Sequence, residues 1–188
     1  MPLPASLILI RHARITTPDR LAGRSDFAAE PDPTACAALA ATLPPVAHVI
    51  NSPAQRCRVT AEALFPGRAL RSEPDIWEQD FGIWDGQPLA DLPDLGPLTP
   101  EALAMHLWDR GESFADLCDR VTPALTRLAV AGETIAVVAH AGTIRAALSM
   151  ALGGPGPALA FHIAPLSATQ ISLHPSGAAV GYVNRIAS

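Results

Sequence analysis

The chain has 188 residues, 18 acidic against 13 basic, and a formal net charge of −5; that balance argues against a nucleic-acid-binding surface. Hydrophobic residues make up 49% and charged residues 16%, so a single folded domain spanning 1–188 with a large core is expected and disorder is excluded. Every basic residue is arginine, which removes P-loop and Schiff-base chemistry, since both need lysine.

Leu7–Ile10 is a short apolar run that ends in Arg11-His12 and reads as a buried strand. Asp32–Leu43 is alanine-rich and predicts a helix. Val46–Ile50 is a second strand. Ser52-Pro53-Ala54-Gln55 follows it with the pattern of a capping box, so a helix is expected from Ser52 to about Leu64, stopped by Pro66-Gly67. Ala69–Ser72 suggests a short strand. Four prolines between Pro88 and Pro100 mark a surface excursion, a lid over about 81–112, with a short helix from Thr99-Pro100 towards Trp108. Ser113-Phe114-Ala115-Asp116 is a second capping box, opening a helix to about Val130. Thr134–Ala139 is the cleanest buried strand, and His140-Ala141-Gly142 turns into a helix ending at Gly153-Gly154. Ala168–Leu173 and Ala178–Val183 predict a closing hairpin.

Strands alternating with helices predict an α/β fold: three layers, a mostly parallel central sheet with helices on both faces. In such sheets ligands sit outside the carboxyl ends of the strands. Three strand ends carry unusual residues: Arg11-His12, Ser52 with Arg56 one turn on, and His140. Two histidines and two arginines converging there suit a phosphoryl group. Arginine's fork matches phosphate oxygens, helix N-termini after Ser52 and His140 add N–H donors, and a neutral imidazole is a competent nucleophile at phosphorus. A second imidazole, protonated beside the phosphate charge, would act as a clamp. Cleavage of an ester also needs an acid for the departing alkoxide. Glu78 is the candidate, with Asp80 and Asp85 as weaker ones.

Five segments occur in order: Leu9-Ile10-Arg11-His12-Ala13, Asn51–Arg56, Glu78–Gly86, Gly111-Glu112-Ser113 and Val138–Gly142. Together they resemble the histidine phosphatase superfamily, also called phosphoglycerate-mutase-like. The resemblance implies that His12 is the nucleophile and passes through a phosphohistidine. It implies that Arg11, Arg56 and His140, with Ala141 beside them, hold the phosphoryl oxygens, and that Glu78 is general acid and then base. No metal and no organic cofactor is implied. The Gly111–Leu117 run and the short length look most like the branch that includes α-ribazole phosphatase of cobalamin synthesis. The chain departs from the family at Ala13-Arg14-Ile15 and Ala141, where glycine is usual after each histidine, and at Thr16-Thr17-Pro18, where mutases have asparagine.

Taken singly, these signals have plain readings. Arg11-His12 is an ordinary strand end, Arg56 a solvated helix arginine, and Glu78 a loop carboxylate. Their combination favours the site. His48, His106, His162 and His174 are read as structural or surface residues, with reach into the pocket the alternative for His162. Arg14 and Arg24 are placed at the pocket rim, and Arg145 behind it. The expected activity is hydrolysis of a small-molecule phosphate monoester, α-ribazole 5'-phosphate being one candidate. The alternatives are a mutase-type isomerase and a catalytically silent phosphate-binding protein. The charged residues from Phe81 to Asp109 are all acidic, which disfavours a mutase and predicts a neutral or cationic leaving group.

Cys36, Cys57 and Cys118 form no CxxC or zinc spacing, so a reduced, cytoplasmic protein is expected. No secretory signal is visible. Ala146 to Asn184 contains no Asp, Glu, Lys or Arg, but Gly153-Gly154-Pro155-Gly156-Pro157 interrupts it, so no membrane span is expected. That tail is read as buried sheet and helix, with a homodimer contact as its other use.

Overall fold

A computed structural model describes residues 3–187. The elements run β1 (Ala5–Arg11), α1 (Pro33–Ala41), β2 (His48–Asn51), α2 (Gln55–Leu64), β3 (Leu70–Ser72), α3 (Pro100–Ala104), α4 (Phe114–Leu128), β4 (Thr134–Ala139), α5 (Ala141–Leu152), α6 (Pro155–Ala158), β5 (Ala168–His174) and β6 (Gly177–Arg185). The six strands form one sheet in the order β3-β2-β4-β1-β5-β6. β1, β2, β3 and β4 pair in parallel, while β5 and β6 add an antiparallel edge. The expected α/β architecture with a mostly parallel sheet is therefore present.

The layering follows from side-chain alternation along strands that are apolar on both faces. Leu7 and Leu9 of β1, with Ile135 and Val137 of β4, pack against α4 and α5 through Leu117, Leu125, Ile144 and Leu148. Ile8 and Ile10, with Ala136 and Val138, pack against α1 and α2 through Cys36, Leu39, Cys57 and Ala61. All of these side chains except Ile135 are fully shielded from solvent. A fully buried Leu or Ile contributes about 1.5–3 kcal/mol, so the two central strands carry much of the stability.

Helix α4 starts as its sequence predicts. Ser113 Oγ accepts from Asp116 N at 3.1 Å and the Asp116 carboxylate accepts from Ser113 N at 2.9 Å, a reciprocal cap of the kind that contributes about 1 kcal/mol. Gly153, at φ 81°, ends α5 in the left-handed conformation. The capping box expected at Ser52 does not form. α2 begins at Gln55, after an Ala54 N-cap with no side-chain cap bond. Ser52 Oγ lies 2.8 Å from His140 Nε2 instead, and a carboxylate 29 residues upstream, Asp26, accepts from Gln55 N at 2.8 Å. A buried imidazole with a polar atom to satisfy outcompetes a local cap that another residue can supply.

Between Phe81 and Glu112 the chain makes two short 3-10 turns, Gly82–Trp84 and Leu89–Asp91, before α3. Ile83, Leu89, Leu98, Leu103, Met105 and Leu107 are exposed along it. Among the described residues, no helix is long and apolar enough to cross a membrane.

Candidate active site

The sheet register creates the site. β1 and β4 pair up to Arg11 and Ala139, so the next residue of each strand, His12 and His140, emerge side by side. His12 N donates to Ala139 O at 2.9 Å, and the two rings meet edge to face with centroids 5.3 Å apart. β2 joins the same edge of the sheet: Ser52 N donates to Val138 O at 3.0 Å, which brings Ser52 and the first turn of α2 beside His140.

The hydrogen bonds fix both imidazole tautomers. His12 Nδ1 lies 2.7 Å from Ala13 O. A carbonyl only accepts, so Nδ1 carries the hydrogen and Nε2 keeps its lone pair. Burial, followed by the charge of Arg56, pushes the His12 pKa down to about 3; the Ala13 carbonyl opposes the shift, and the charge of Arg11 adds a smaller lowering effect. His12 is thus neutral at physiological pH. Ala13 is held in turn, its N–H donating at 3.0 Å to Thr60 Oγ1, which donates to Arg56 O at 2.7 Å.

His140 is fully buried. Arg56 Nη2 donates to its Nδ1 at 3.2 Å, so Nδ1 accepts and Nε2 carries the hydrogen that faces Ser52 Oγ. Burial first, then Arg56, His12, Arg11 and Arg24, hold its pKa well below the usual value. Within the protein alone His140 is a neutral ring whose two nitrogens are engaged by Arg56 and Ser52. Cys57 Sγ lies against it, 3.5 Å from Nε2.

Arg56 is fully buried. Nη1 donates to Ser25 O at 2.8 Å and to Asp26 Oδ1 at 3.4 Å; Nη2 donates to Gly23 O at 2.7 Å and to His140. These four acceptors account for the four Nη hydrogens, so the fork expected to grip phosphate grips the protein. The Nε of Arg56 and the Nε of Arg11 are both buried with no hydrogen-bond partner among the described residues. Arg11 Nη1 donates to Ile163 O. An unpaired buried donor on a charged group is costly, and an oxyanion would satisfy it.

Glu78 is buried opposite. Oε1 accepts from Gln79 N at 3.0 Å, and Oε2 from Gly142 N in the first turn of α5 at 3.2 Å. The helix N-terminal donors expected to face phosphate are therefore given to carboxylates, Gly142 to Glu78 and Gln55 to Asp26. Gly142 has to be glycine, because a Cβ there would collide with Glu78 Oε1. Arg120 of α4 pins the backbone beneath Glu78, donating to Asp75 O at 2.7 Å, Trp77 O at 3.1 Å and Glu78 O at 3.4 Å. It also binds both oxygens of Glu112, at 3.0 and 2.9 Å. Burial raises the Glu112 pKa, but Arg120 and the Asp80 N–H outweigh it and hold it below the usual carboxylate value.

A cleft of about 400 Å³ opens in front of His12, lined by Arg11, Arg14, Arg20, Glu78, Phe81 and Leu89 among others. Of the anticipated residues, Arg11, His12 and Glu78 form its wall. His140 and Arg56, both fully buried, and half-buried Ala141 at the start of α5 are not among the lining residues. Arg14 is at the rim as expected. Arg24 instead pairs with Glu112 at 3.7 Å, and exposed His162 does not line the cleft. Asp80 and Asp85, the weaker candidate acids, do not line the cleft. Asp80 Oδ1 accepts from Gly82 N at 2.8 Å. Asp85 accepts from Gly23, Arg24 and Ser25 N at 3.0, 2.6 and 2.9 Å, organising the loop whose carbonyls hold Arg56. Sequence reasoning overlooked this role and that of Arg120. Asp85 belonged to a recognised segment, but Arg120 gave no signal. No group of three or more His, Cys, Asp or Glu side chains among the described residues could hold a metal ion.

A family model described as the histidine phosphatase superfamily (branch 1) matches residues 7–186. The bifunctional protein Rv2228c of Mycobacterium tuberculosis is 30% identical over 192 residues, covering 93% of this chain. The chain spans about half the length, 52%, of that relative. Among solved structures, mycobacterial glucosyl-3-phosphoglycerate phosphatase Rv2419c superposes with a TM-score of 0.81 at 22% identity, covering 96% of this chain and 99% of that one. The α-ribazole phosphatase from Shigella flexneri gives 0.78 at 21%, covering 96% of each.

Proposed function

Since the chain belongs to the histidine phosphatase superfamily, we propose that it hydrolyses a small phosphate monoester through a phosphohistidine on His12. One observation carries the reading: a neutral His12 with its Nε2 lone pair available stands beside two buried arginine Nε–H groups that lack an acceptor. In the first step Nε2 attacks phosphorus and the ester P–O bond breaks. Glu78 gives its proton to the departing alkoxide. Arg11 and the Nε of Arg56 bind the equatorial oxygens as charge shifts onto them. In the second step Glu78 takes a proton from water, the water oxygen attacks phosphorus, and the P–N bond breaks. His12 returns to its neutral form and inorganic phosphate leaves. His140 acts through Arg56, holding its guanidinium in place. The solved neighbours include a phosphatase of a glucosyl phosphoglycerate and one of α-ribazole phosphate, and α-ribazole 5'-phosphate is one candidate substrate.

The test is rapid quench with a phosphorus-labelled ester. Wild type should carry an acid-labile, base-stable label, and His12→Ala should lose both the label and turnover while keeping its thermal unfolding profile. Substantial turnover by His12→Ala would overturn the mechanism. Release of an isomerised ester without inorganic phosphate would favour the mutase reading.

A further inference from the structure

Half of the residues lining the cleft come from the loop that follows β1: Arg14, Ile15, Pro18, Arg20, Leu21 and Ala22. The charged residues lining the cleft are Arg11, Arg14, Arg20 and Glu78. Three arginines to one carboxylate is the reverse of the whole chain, with its 18 acidic and 13 basic residues. Arg11 and Arg56 suffice to balance a dianionic phosphoryl group, and Glu78 is already held by two backbone amides. Arg14 and Arg20 are left over. The Arg14 side chain makes no hydrogen bond or ion pair with any described residue, and the Arg20 side chain makes one, Nη1 to Gly86 O at 2.8 Å.

The acidic residues between Phe81 and Asp109 do not offset this charge. From that segment only Phe81 and Leu89 reach the cleft wall, and the Asp85 carboxylate is consumed by the three amides of the 23–25 loop. The expectation of a neutral or cationic leaving group took the acidic excursion to face the substrate, and none of Asp85, Asp91, Asp94, Glu101 and Asp109 is among the residues lining the cleft.

We propose that the substrate's leaving group bears an anion of its own, a carboxylate or a second phosphate, held by Arg14 and Arg20, with a short carbon skeleton against Ile15, Leu21 and Leu89. The proposal rests on the phosphatase reading above and goes further by naming the chemistry of the alcohol; it disfavours α-ribazole 5'-phosphate, whose alcohol carries no anion. Arginine binds carboxylate and phosphate oxygens through paired N–H donors. Both side chains are exposed to solvent, so screening keeps the gain at the low end of charge-assisted contacts, about tenfold in rate, and salt weakens it.

Two esters isolate the effect, 3-phosphoglycerate and glycerol 3-phosphate, which differ only in a carboxylate against a hydroxymethyl group. Fructose 1,6-bisphosphate against fructose 6-phosphate does the same for a second phosphate. In wild type kcat/KM should favour the member with the extra anion in at least one pair, by about tenfold, and 0.5 M salt should shrink the ratio. The Arg14→Gln/Arg20→Gln double variant should bring that ratio close to one. A wild-type ratio near one in both pairs would overturn the proposal, as would a preference that survives the double substitution. p-Nitrophenyl phosphate separates the two readings: wild-type turnover of it with no preference in either pair refutes only the second anion, whereas no hydrolysis of any ester refutes the phosphatase itself.

Discussion

Arg56 and His140 are bonded to each other, Nη2 of the guanidinium to Nδ1 of the imidazole at 3.2 Å. The bond ties the first turn of α2 to the end of β4 and keeps His140 neutral, since a protonated Nδ1 could not accept it. It also aligns the buried Arg56 side chain whose Nε remains without a partner.

Arg56→Lys should therefore be a damaging change. Four acceptors, Gly23 O, Ser25 O, Asp26 Oδ1 and His140 Nδ1, share the two Nη atoms. An ammonium offers three hydrogens from one point and none at the Nε position. We expect kcat/KM to fall about ten- to hundredfold, the worth of one charge-assisted bond. Wild-type rates would place Arg56 outside the phosphoryl site.

Gly142→Ala adds one methyl group where Glu78 Oε1 already sits. Helix propensity favours alanine by about 1 kcal/mol, so any loss comes from the displaced carboxylate. A displacement of that order can cost about 10²-fold. Steady-state assay with an alkyl phosphate should show the drop in kcat; unchanged kcat would mean that the position of Glu78 is immaterial.

Glu78→Gln tests proton delivery. A nitrophenolate leaves without much protonation, and a sugar alkoxide does not. Under conditions where phosphorylation of His12 limits, the variant should lose about 10²–10⁴-fold on a ribose phosphate ester and far less on p-nitrophenyl phosphate. Equal losses on both would make Glu78 a structural carboxylate.

Asp85→Asn probes the loop beneath the guanidinium. Asp85 offers two oxygens to three amide hydrogens, and asparagine turns one oxygen into a donor facing them. We expect a lower kcat with a small change in KM, because the effect reaches the reaction through Arg56. The exposed Asp91→Asn is the control. A change confined to thermal stability would show that the 23–25 loop does not set Arg56.

Stability should fall on mild acidification. The His12 pKa drops from 6.5 unfolded to about 3 folded, and that of His140 is also lowered. Between those values the unfolded chain binds protons that the folded chain refuses, so stability present above about pH 6.5 is lost progressively as pH falls towards 3. Tm measured from pH 7 to pH 4 should decline, and less steeply in His12→Gln. Parallel declines in the two proteins would show that His12 is not the group responsible.

The strands were legible in the sequence because their signal is local. β4 matches its expected span, and β1, β2, β3, β5 and β6 differ from theirs by no more than two residues at either end, since apolar runs between turn residues mark a sheet buried on both faces. The convergence of His12, Arg56 and His140 was legible too, because parallel strands place their carboxyl ends together. Three things were not. Ser52 looked like a helix cap, yet its hydroxyl serves a histidine 88 positions away. Arg56 looked like a free fork, yet the acceptors of its fork include carbonyls of residues 23 and 25, and backbone carbonyls leave no trace in residue identity. The acidic excursion looked like the substrate's counter-surface, yet the register of the loop after β1 puts Arg14 and Arg20 on the cleft instead. Sequence by itself determined which residues stand at the strand ends, because hydrophobic periodicity acts over a few neighbours. Only the tertiary structure decided what each polar atom there is bonded to, because a buried donor takes whichever acceptor packing brings within about 3 Å, however distant in the chain.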